Sequence, residues 1–392
     1  MTLPGLIFLL AAGLEASDYA ARRAALKDGA TVLFGLSEAA GETRDGFFQE
    51  PNFHYLTGLR DPGGALLIRD GRSTIYLDRR DEKREVWTGK KLAYEDKPEL
   101  GAEIKPNDAL EKDLRELTGK LYALPEAHAK LRGLAPKAEV LDATPALAKL
   151  RMTKSPRELA AMEKAIAASM DAHRASWRAA KPGMFEYELA SAMSSVYFSR
   201  GCERHAYPPI VGSGPNATVL HYFRNDRRMD AGELVLMDVG AECSGYAGDI
   251  TRTIPVNGKF TPRQRELYDA VLKAEKAVIA AARPGLTTAQ LKKIAVDSLN
   301  DREEKLGDYL IHGVSHHIGL DVHDLSIKDA PLTAGAVITV EPGVYLPKEA
   351  IGIRIEDMIV ITENGARVLT AALPREAEEI EKIMSARATS KD

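Results

Sequence analysis

Four of the nine histidines fall within twelve residues, at His312, His316, His317 and His323. Core packing does not call for so dense a cluster, whereas cation binding and proton transfer near neutral pH do. Carboxylates point the same way. Asp238 sits in the apolar run Leu234–Val239, and Asp249 follows Tyr246-Ala247-Gly248. Glu341 ends the run Ala336–Val340, and Glu356 interrupts Ile351–Val360. Burying a carboxylate is unfavourable unless it is paired or binds a metal. One such residue is commonly a salt bridge or a sheet-end carboxylate. Four, with histidines between them, argue for a shared cation. Four carboxylates carry too much charge for one divalent ion and suit two. Oxygen ligands with a single imidazole favour Mn²⁺ first, then Co²⁺, Fe²⁺ or Zn²⁺. Two such ions hold a bridging water, lower its pKa toward neutrality and polarise a carbonyl. That is hydrolysis without a covalent intermediate. No Gly-x-Ser-x-Gly elbow, phosphate loop or dinucleotide fingerprint is present, and Gly212-Ser213-Gly214 reads as a turn.

The elements that must position these residues follow a repeated plan. Ser155-Pro156-Arg157-Glu158 is a capping box with proline at the first helical position. It predicts a helix to about Ala180, stopped by Lys181-Pro182-Gly183, then a second helix to about Arg200 and strands through Thr253. Thr261-Pro262-Arg263-Gln264 repeats the start, and Arg283-Pro284-Gly285 repeats the stop. A helix opening at Thr287–Gln290 follows, then strands at Val337–Val340, Gly343–Leu346 and Ile353–Thr362. Residues 155–254 and 261–362 thus read as two α+β halves facing each other, with a cleft at their junction. Upstream, Thr31–Phe34, Phe53–Leu56, Ala65–Ile68 and Thr74–Leu77 read as strands, punctuated by Asp61-Pro62-Gly63-Gly64 and Asp70-Gly71. Tyr19–Leu26 and Asp108–Leu117 read as helices.

The whole chain sets outer bounds. Its 392 residues suggest two domains or a few, and 45% hydrophobic with 28% charged residues is an ordinary globular composition. A net charge of −4, with no long basic stripe, gives no case for nucleic acid. Cys202 and Cys243 are too few for a disulfide framework and read as two free thiols rather than one bond. Leu3–Leu14 is apolar but too short to span a bilayer. It fits a secretory h-region with cleavage near Ala16, although no Lys or Arg precedes it and Pro4 sits early. That reading, with residues 1–16 a signal peptide, makes the chain periplasmic or secreted. The alternative, a buried first helix or strand, leaves it cytoplasmic.

At the histidines and carboxylates the sequence resembles the pita-bread metallopeptidases, the family of methionine aminopeptidase, prolidase and Xaa-Pro aminopeptidase. The ligand order Asp, Asp, His, Glu, Glu is met in full. The resemblance implies an α+β fold: a pita-bread catalytic domain with pseudo-twofold halves over residues 151–392, preceded by a smaller α/β domain over residues 17–150. It implies two divalent metal ions held by Asp238, Asp249, His316, Glu341 and Glu356, with Asp249 and Glu356 bridging. It implies that His221 steadies the carbonyl oxygen, that His323 contacts substrate near the proline, that His312 lines the proline-side pocket, and that Arg354 is an arginine neighbouring it. Glu341 doubles as proton shuttle. His205 and His317 receive no role. Gly245–Thr253 looks especially like Xaa-Pro aminopeptidases. Asn52–Gly58, Arg80-Asp81 and Glu85–Gly89 resemble the domain that precedes the catalytic domain in proline-specific members, which disfavours methionine aminopeptidase. His317 stands where an aromatic is common, and Met358 where an acidic residue is frequent.

The function so implied is release of the N-terminal residue from peptides with proline in second position, by attack of metal-bound hydroxide. Prolidase, which accepts only dipeptides, is the alternative; Ser315 tilts toward the aminopeptidase, since prolidases tend to have glycine there. A peptide-binding member without activity, and a metal-independent creatinase-type hydrolase, are disfavoured because all five ligands are kept. The resemblance further implies a homodimer or homotetramer, with Trp87 reaching a neighbour's active site.

Overall fold

The computed structural model of the chain describes residues 13–38 and 46–386. They form two compact units, Met1–Leu150 and Arg151–Asp392. Apart from Gly13 and Leu14, the segment expected as an h-region lies outside the described residues. No helix among the described residues is long and apolar enough to cross a membrane.

The first unit runs α1 (Ala16–Ala24), β1 (Ala30–Phe34), α2 (Pro51–Thr57), β2 (Ala65–Arg69), β3 (Arg72–Leu77), α3 (Glu82–Thr88), β4 (Glu103–Pro106), α4 (Leu110–Arg115), β5 (Gly119–Ala123), α5 (His128–Leu134), β6 (Ala138–Asp142), with α6 (Thr144–Arg151) at its end. Its strands make one mixed sheet in the order β4-β3-β2-β1-β5-β6. β2 and β3 form a hairpin because Asp70 (φ 53°) and Gly71 (φ 73°) both take the left-handed conformation of a two-residue turn. Val32, Leu67, Tyr76, Leu121 and Leu131 share its core. The expected strand Phe53–Leu56 is instead helix α2. Its ends explain this: Glu50 accepts a hydrogen bond from Phe53 N at 2.6 Å, Pro51 opens the first turn, and Gly58 (φ 75°) closes the last. Asn52 through Thr57 are all buried, so no exposed face betrays the helical period.

The second unit begins with α7 (Pro156–Ala179) and α8 (Glu186–Ser199), followed by β7 (Arg204–His205), β8 (Ile210–Ser213), β9 (Leu234–Val239), β10 (Ala241–Cys243), β11 (Tyr246–Ala247) and β12 (Ile250–Pro255). The plan then repeats with α9 (Pro262–Ala281), α10 (Thr288–Asn300), β13 (Val337–Val340), β14 (Gly343–Leu346), β15 (Ile351–Arg354), β16 (Asp357–Ile361) and β17 (Ala366–Val368), and ends in α11 (Ala377–Ala386). Both capping boxes form, Ser155 with Glu158 and Thr261 with Gln264. One half carries the sheet β12-β9-β8; the other carries β13-β16-β17 and the hairpin β14-β15.

The halves are sewn along β12. Glu356 N donates to Thr251 O (3.1 Å), and Thr253 Oγ1 donates to Arg354 O (3.0 Å). The buried Arg252 guanidinium donates to Glu356 O (2.6 Å) and Asp357 Oδ1 (2.7 Å). These bonds satisfy backbone that a strand break would otherwise leave bare.

Three expectations change here. Ile353–Thr362 is not one strand: it is the tail of β15 and all of β16, separated at Ile355 and Glu356. Ile355 N donates to Pro342 O (3.3 Å) within its own half, and Glu356 N turns to the other half, where Thr251 O takes over the pairing. Gly212 and Ser213 end strand β8, and only Gly214 (φ 52°) begins a helical turn. Cys202 and Cys243 are not free thiols but a disulfide. Antiparallel pairing of β7 with β10 sets Arg204 opposite Glu242 and brings the two cysteines to a Cα separation of 4.3 Å.

Candidate metal centre

All four carboxylates stand on strands or strand ends along the seam. Asp238 lies on β9, opposite Ile210 of β8 and Thr251 of β12. Asp249 immediately precedes β12, Glu341 immediately follows β13, and Glu356 occupies the break between β15 and β16. His316 comes from the irregular chain before β13. Its backbone is tied down by Thr339, whose Oγ1 accepts from His316 N (3.1 Å) and whose N donates to His316 O (3.0 Å).

The imidazole of His316 is oriented by its own neighbour. Nδ1 lies 3.1 Å from His317 O, a carbonyl that only accepts, so Nδ1 carries the proton. Nε2 then points at Asp249 Oδ2 (3.4 Å) and Glu341 Oε1 (3.6 Å), where it donates to Asp249 when protonated and offers its lone pair to a cation when not. This is the tautomer a metal-binding histidine needs, held as such histidines usually are. One ligand atom each from Asp249, His316 and Glu356 lies within 4.8 Å of the other two. Thr251 Oγ1 donates to Glu356 Oε2 at 2.6 Å and fixes that carboxylate.

Tyr207 links Asp238 to the group. Its hydroxyl lies 2.5 Å from Asp238 Oδ1 and 2.5 Å from Asp249 Oδ1. A phenol has one proton, so it satisfies one carboxylate and turns a lone pair to the other. Arg354 meets Asp238 from elsewhere, Nη2 donating to Oδ2 at 2.5 Å, while Nη1 donates to Tyr345 Oη (2.8 Å) and Nε to Thr251 Oγ1 (3.1 Å). His312 completes a chain. Nδ1 donates to Gly313 O (2.5 Å), so Nε2 accepts from Tyr345 Oη (2.8 Å).

The charges do not balance without a cation. Four carboxylates face one guanidinium and one imidazole, and Asp238, Asp249 and Glu356 are buried. Burial first, then repulsion from Asp238, Asp249 and Glu341, pushes the Glu356 carboxyl well above the usual range. Burial likewise raises Asp249 and holds Glu341 at about 7. Burial opposes the charged form of His316, but the Asp249 hydrogen bond and the charges of Asp249 and Glu341 outweigh it and raise the pKa to about 9. A site that must gather protons to lower its own repulsion is one that divalent cations fit, and hard oxygen donors with one imidazole suit them.

These groups line a cavity of about 480 Å³, together with Ile210, Leu220, Phe223 and Val322. The residues to which the sequence reading gave a ligand or substrate role lie on its wall: His221, His312, His323 and Arg354 beside the five expected ligands. His221 is exposed and stacks on Phe223, ring centroids 5.8 Å apart. His323 packs edge-on against His316 at 4.4 Å. His205 and His317 stay off the wall. His205 packs against Tyr197 and Phe198, and the backbone of His317 bridges to Ile338. Reasoning from sequence passed over Tyr207, Thr251 and Tyr345. The available signal for Tyr207 was the Tyr-Pro-Pro run, since a residue before proline is held extended. Thr251 and Tyr345 read as ordinary strand residues.

Comparison with known proteins agrees with this geometry. Residues 160–363 match the model of metallopeptidase family M24, and residues 19–122 match the aminopeptidase P N-terminal domain. The Xaa-Pro aminopeptidase of Haemophilus influenzae is 38% identical over 386 residues, covering 86% of this chain and 89% of the relative. That of Escherichia coli is 34% identical over 434 residues, covering 95% and 98%. A variant of Escherichia coli aminopeptidase P solved in complex with substrate superposes with a TM-score of 0.87 at 30% identity, covering 96% of this chain and all of that one. A site rich in carboxylates, a two-half fold and near full-length likeness therefore agree that the chain belongs to metallopeptidase family M24, as a peptidase with the aminopeptidase P N-terminal domain.

Proposed function

We propose that this chain releases the N-terminal residue from peptides whose second residue is proline. The observation that carries the reading is the meeting of five ligand-type side chains with His221, His312, His323 and Arg354 on one cavity wall. Asp238, Asp249, His316, Glu341 and Glu356 would hold two divalent cations. When bound, such ions polarise a carbonyl and make water nucleophilic at neutral pH. Mn²⁺ is the first choice for this donor set, ahead of Co²⁺, Fe²⁺ and Zn²⁺.

The protein's own groups do the rest. His221 donates to the scissile carbonyl oxygen as negative charge develops there. Glu341 carries a proton to the departing imino nitrogen of proline; its Oε2 lies 3.7 Å from His312 Nδ1, on the cavity wall. His323 contacts the substrate near the proline. His312 lines the proline-side pocket and is oriented through Tyr345 by Arg354. Arg354 at the same time holds Asp238.

The active assembly is a homodimer or homotetramer. Val86 and Trp87 support this, standing 84% and 88% exposed on α3, where a large apolar pair in water favours a partner's surface. Trp87 would reach a neighbour's active site.

The deciding experiment incubates Mn²⁺-loaded protein with Xaa-Pro dipeptides and with Xaa-Pro peptides of three or more residues. Release of Xaa from the longer peptides is expected. Cleavage of dipeptides alone would make the chain a dipeptidase, and cleavage of neither would make it a binding protein.

A further inference from the structure

The segment that carries His221 is built to present a second side chain beside it. Residues 221 to 223 alternate: Tyr222 is buried, and His221 and Phe223 are exposed. Tyr222 Oη donates to Asp226 Oδ1 at 2.9 Å. Asn225, in the left-handed conformation (φ 50°), accepts from Val211 N (2.8 Å) and donates to Pro209 O (2.8 Å). The Asn225 bonds fix the segment to the chain around β8, whose Ile210 also lines the cavity, and the Tyr222–Asp226 bond braces it internally. His221 and Phe223 are thereby held with ring planes 30° apart. Phe223 lines the cavity yet remains 49% exposed. A phenyl ring held half in water at the mouth of a cavity offers a ligand apolar area at little ordering penalty, because the scaffold is already rigid.

The direction of the substrate identifies what meets it. An enzyme that removes one residue has nothing beyond its substrate's amino end. The peptide continues only on the leaving side, which must exit to solvent past the rim. We infer that Phe223 is a specificity-determining shelf that favours an apolar or aromatic side chain at the residue after proline. The inference rests on the exopeptidase reading above and adds the class of peptide that the site prefers.

The test compares Ala-Pro-Phe with Ala-Pro-Gly, in the Mn²⁺-loaded wild type and in Phe223→Ala and Phe223→Leu. The wild type is expected to favour the phenylalanine peptide in kcat/KM by about tenfold, the scale of one good aromatic contact. Phe223→Ala brings the ratio close to one, mainly through KM, and Phe223→Leu keeps part of it. Equal kcat/KM for the two peptides in the wild type, or an unchanged ratio in Phe223→Ala, overturns the inference. Calorimetric binding of Pro-Phe and Pro-Gly reads the same shelf without turnover. If neither tripeptide is cleaved but Pro-Phe binds the more tightly, and loses that advantage in Phe223→Ala, the exopeptidase reading fails and the shelf stands. Equal binding of the two dipeptides by the wild type overturns the shelf whatever the activity.

Discussion

Arg354 Nη2 donates to Asp238 Oδ2 at 2.5 Å, joining residues 116 positions apart, one on each half of the second unit. Both side chains are nearly sealed from solvent, so each is the other's main compensation for lost hydration. In metal-free protein, Arg354→Gln should cost about 3 kcal/mol, the usual penalty for orphaning a buried charge. Arg354→Lys should not restore it, because three directed bonds, to Asp238, Tyr345 and Thr251, require a guanidinium. Urea unfolding of the three proteins measures this. Wild-type stability in Arg354→Gln would mean that Tyr207 alone suffices for Asp238.

Asp249 contacts both Tyr207 and His316 and belongs to the tightest group of ligand atoms. Asp249→Ala should lower bound metal per chain as well as rate, read by elemental analysis after dialysis against Mn²⁺. Tyr207→Phe should keep the ligands but weaken metal affinity by about 10-fold or more, as loss of a ligand-orienting partner does. Full metal content in Asp249→Ala would remove it from the ligand set.

His221 touches the cavity but none of the carboxylates by hydrogen bond, so its loss separates chemistry from metal binding. His221→Ala should retain metal and lower kcat by about 10²-fold, the usual effect of losing one oxyanion donor. An unchanged kcat with full metal would exclude it from the reaction.

The Cys202–Cys243 bond closes a separation of 41 residues that contains Tyr207 and Asp238. Loss of such a loop closure should destabilise by about 2–4 kcal/mol. Thermal unfolding of Cys202→Ser/Cys243→Ser, and of wild type with and without dithiothreitol, measures it. Equal melting temperatures in all samples would show that the strand pairing of β7 with β10 is sufficient by itself.

His173 gives a pH dependence of known sign. It is buried with Nε2 3.0 Å from Ile250 O, and burial, helped by Arg252 and opposed by Asp238 and Asp357, lowers its pKa to about 3. The unfolded chain takes up this proton near pH 6.5 and the folded chain does not. Its contribution is therefore complete above pH 6.5 and is lost as pH falls toward 3, at ~1.4 kcal/mol per pH unit. Metal-free wild type should show this extra slope in unfolding free energy between pH 6.5 and 4.5 relative to His173→Gln. Parallel curves would mean that His173 charges in the folded protein.

Much of this architecture is written locally. Ser155 with Glu158 and Thr261 with Gln264 meet within one helical turn, so their capping boxes and the repeated plan were legible in the chain. So were the carboxylates, because Asp238 and Glu356 stand where a buried strand favours an apolar residue. Phe53–Leu56 misled, because a short segment buried on every side has no period to read, and Glu50 and Gly58 decided its conformation from outside the run. The break at Glu356 was equally hidden, since it depends on Thr251 taking over a hydrogen bond from the other half.

Residue types could thus announce that a cation site was present, and even which side chains were eligible for it. They could not say that Tyr207 stands between two aspartates, that Arg354 closes on Asp238, that the cysteines meet, or that Phe223 is held beside His221. Those relations depend on strand register and on how two halves dock. Apart from the neighbouring pair His221 and Phe223, such contacts join residues tens to more than a hundred positions apart, and only the folded backbone brings them together.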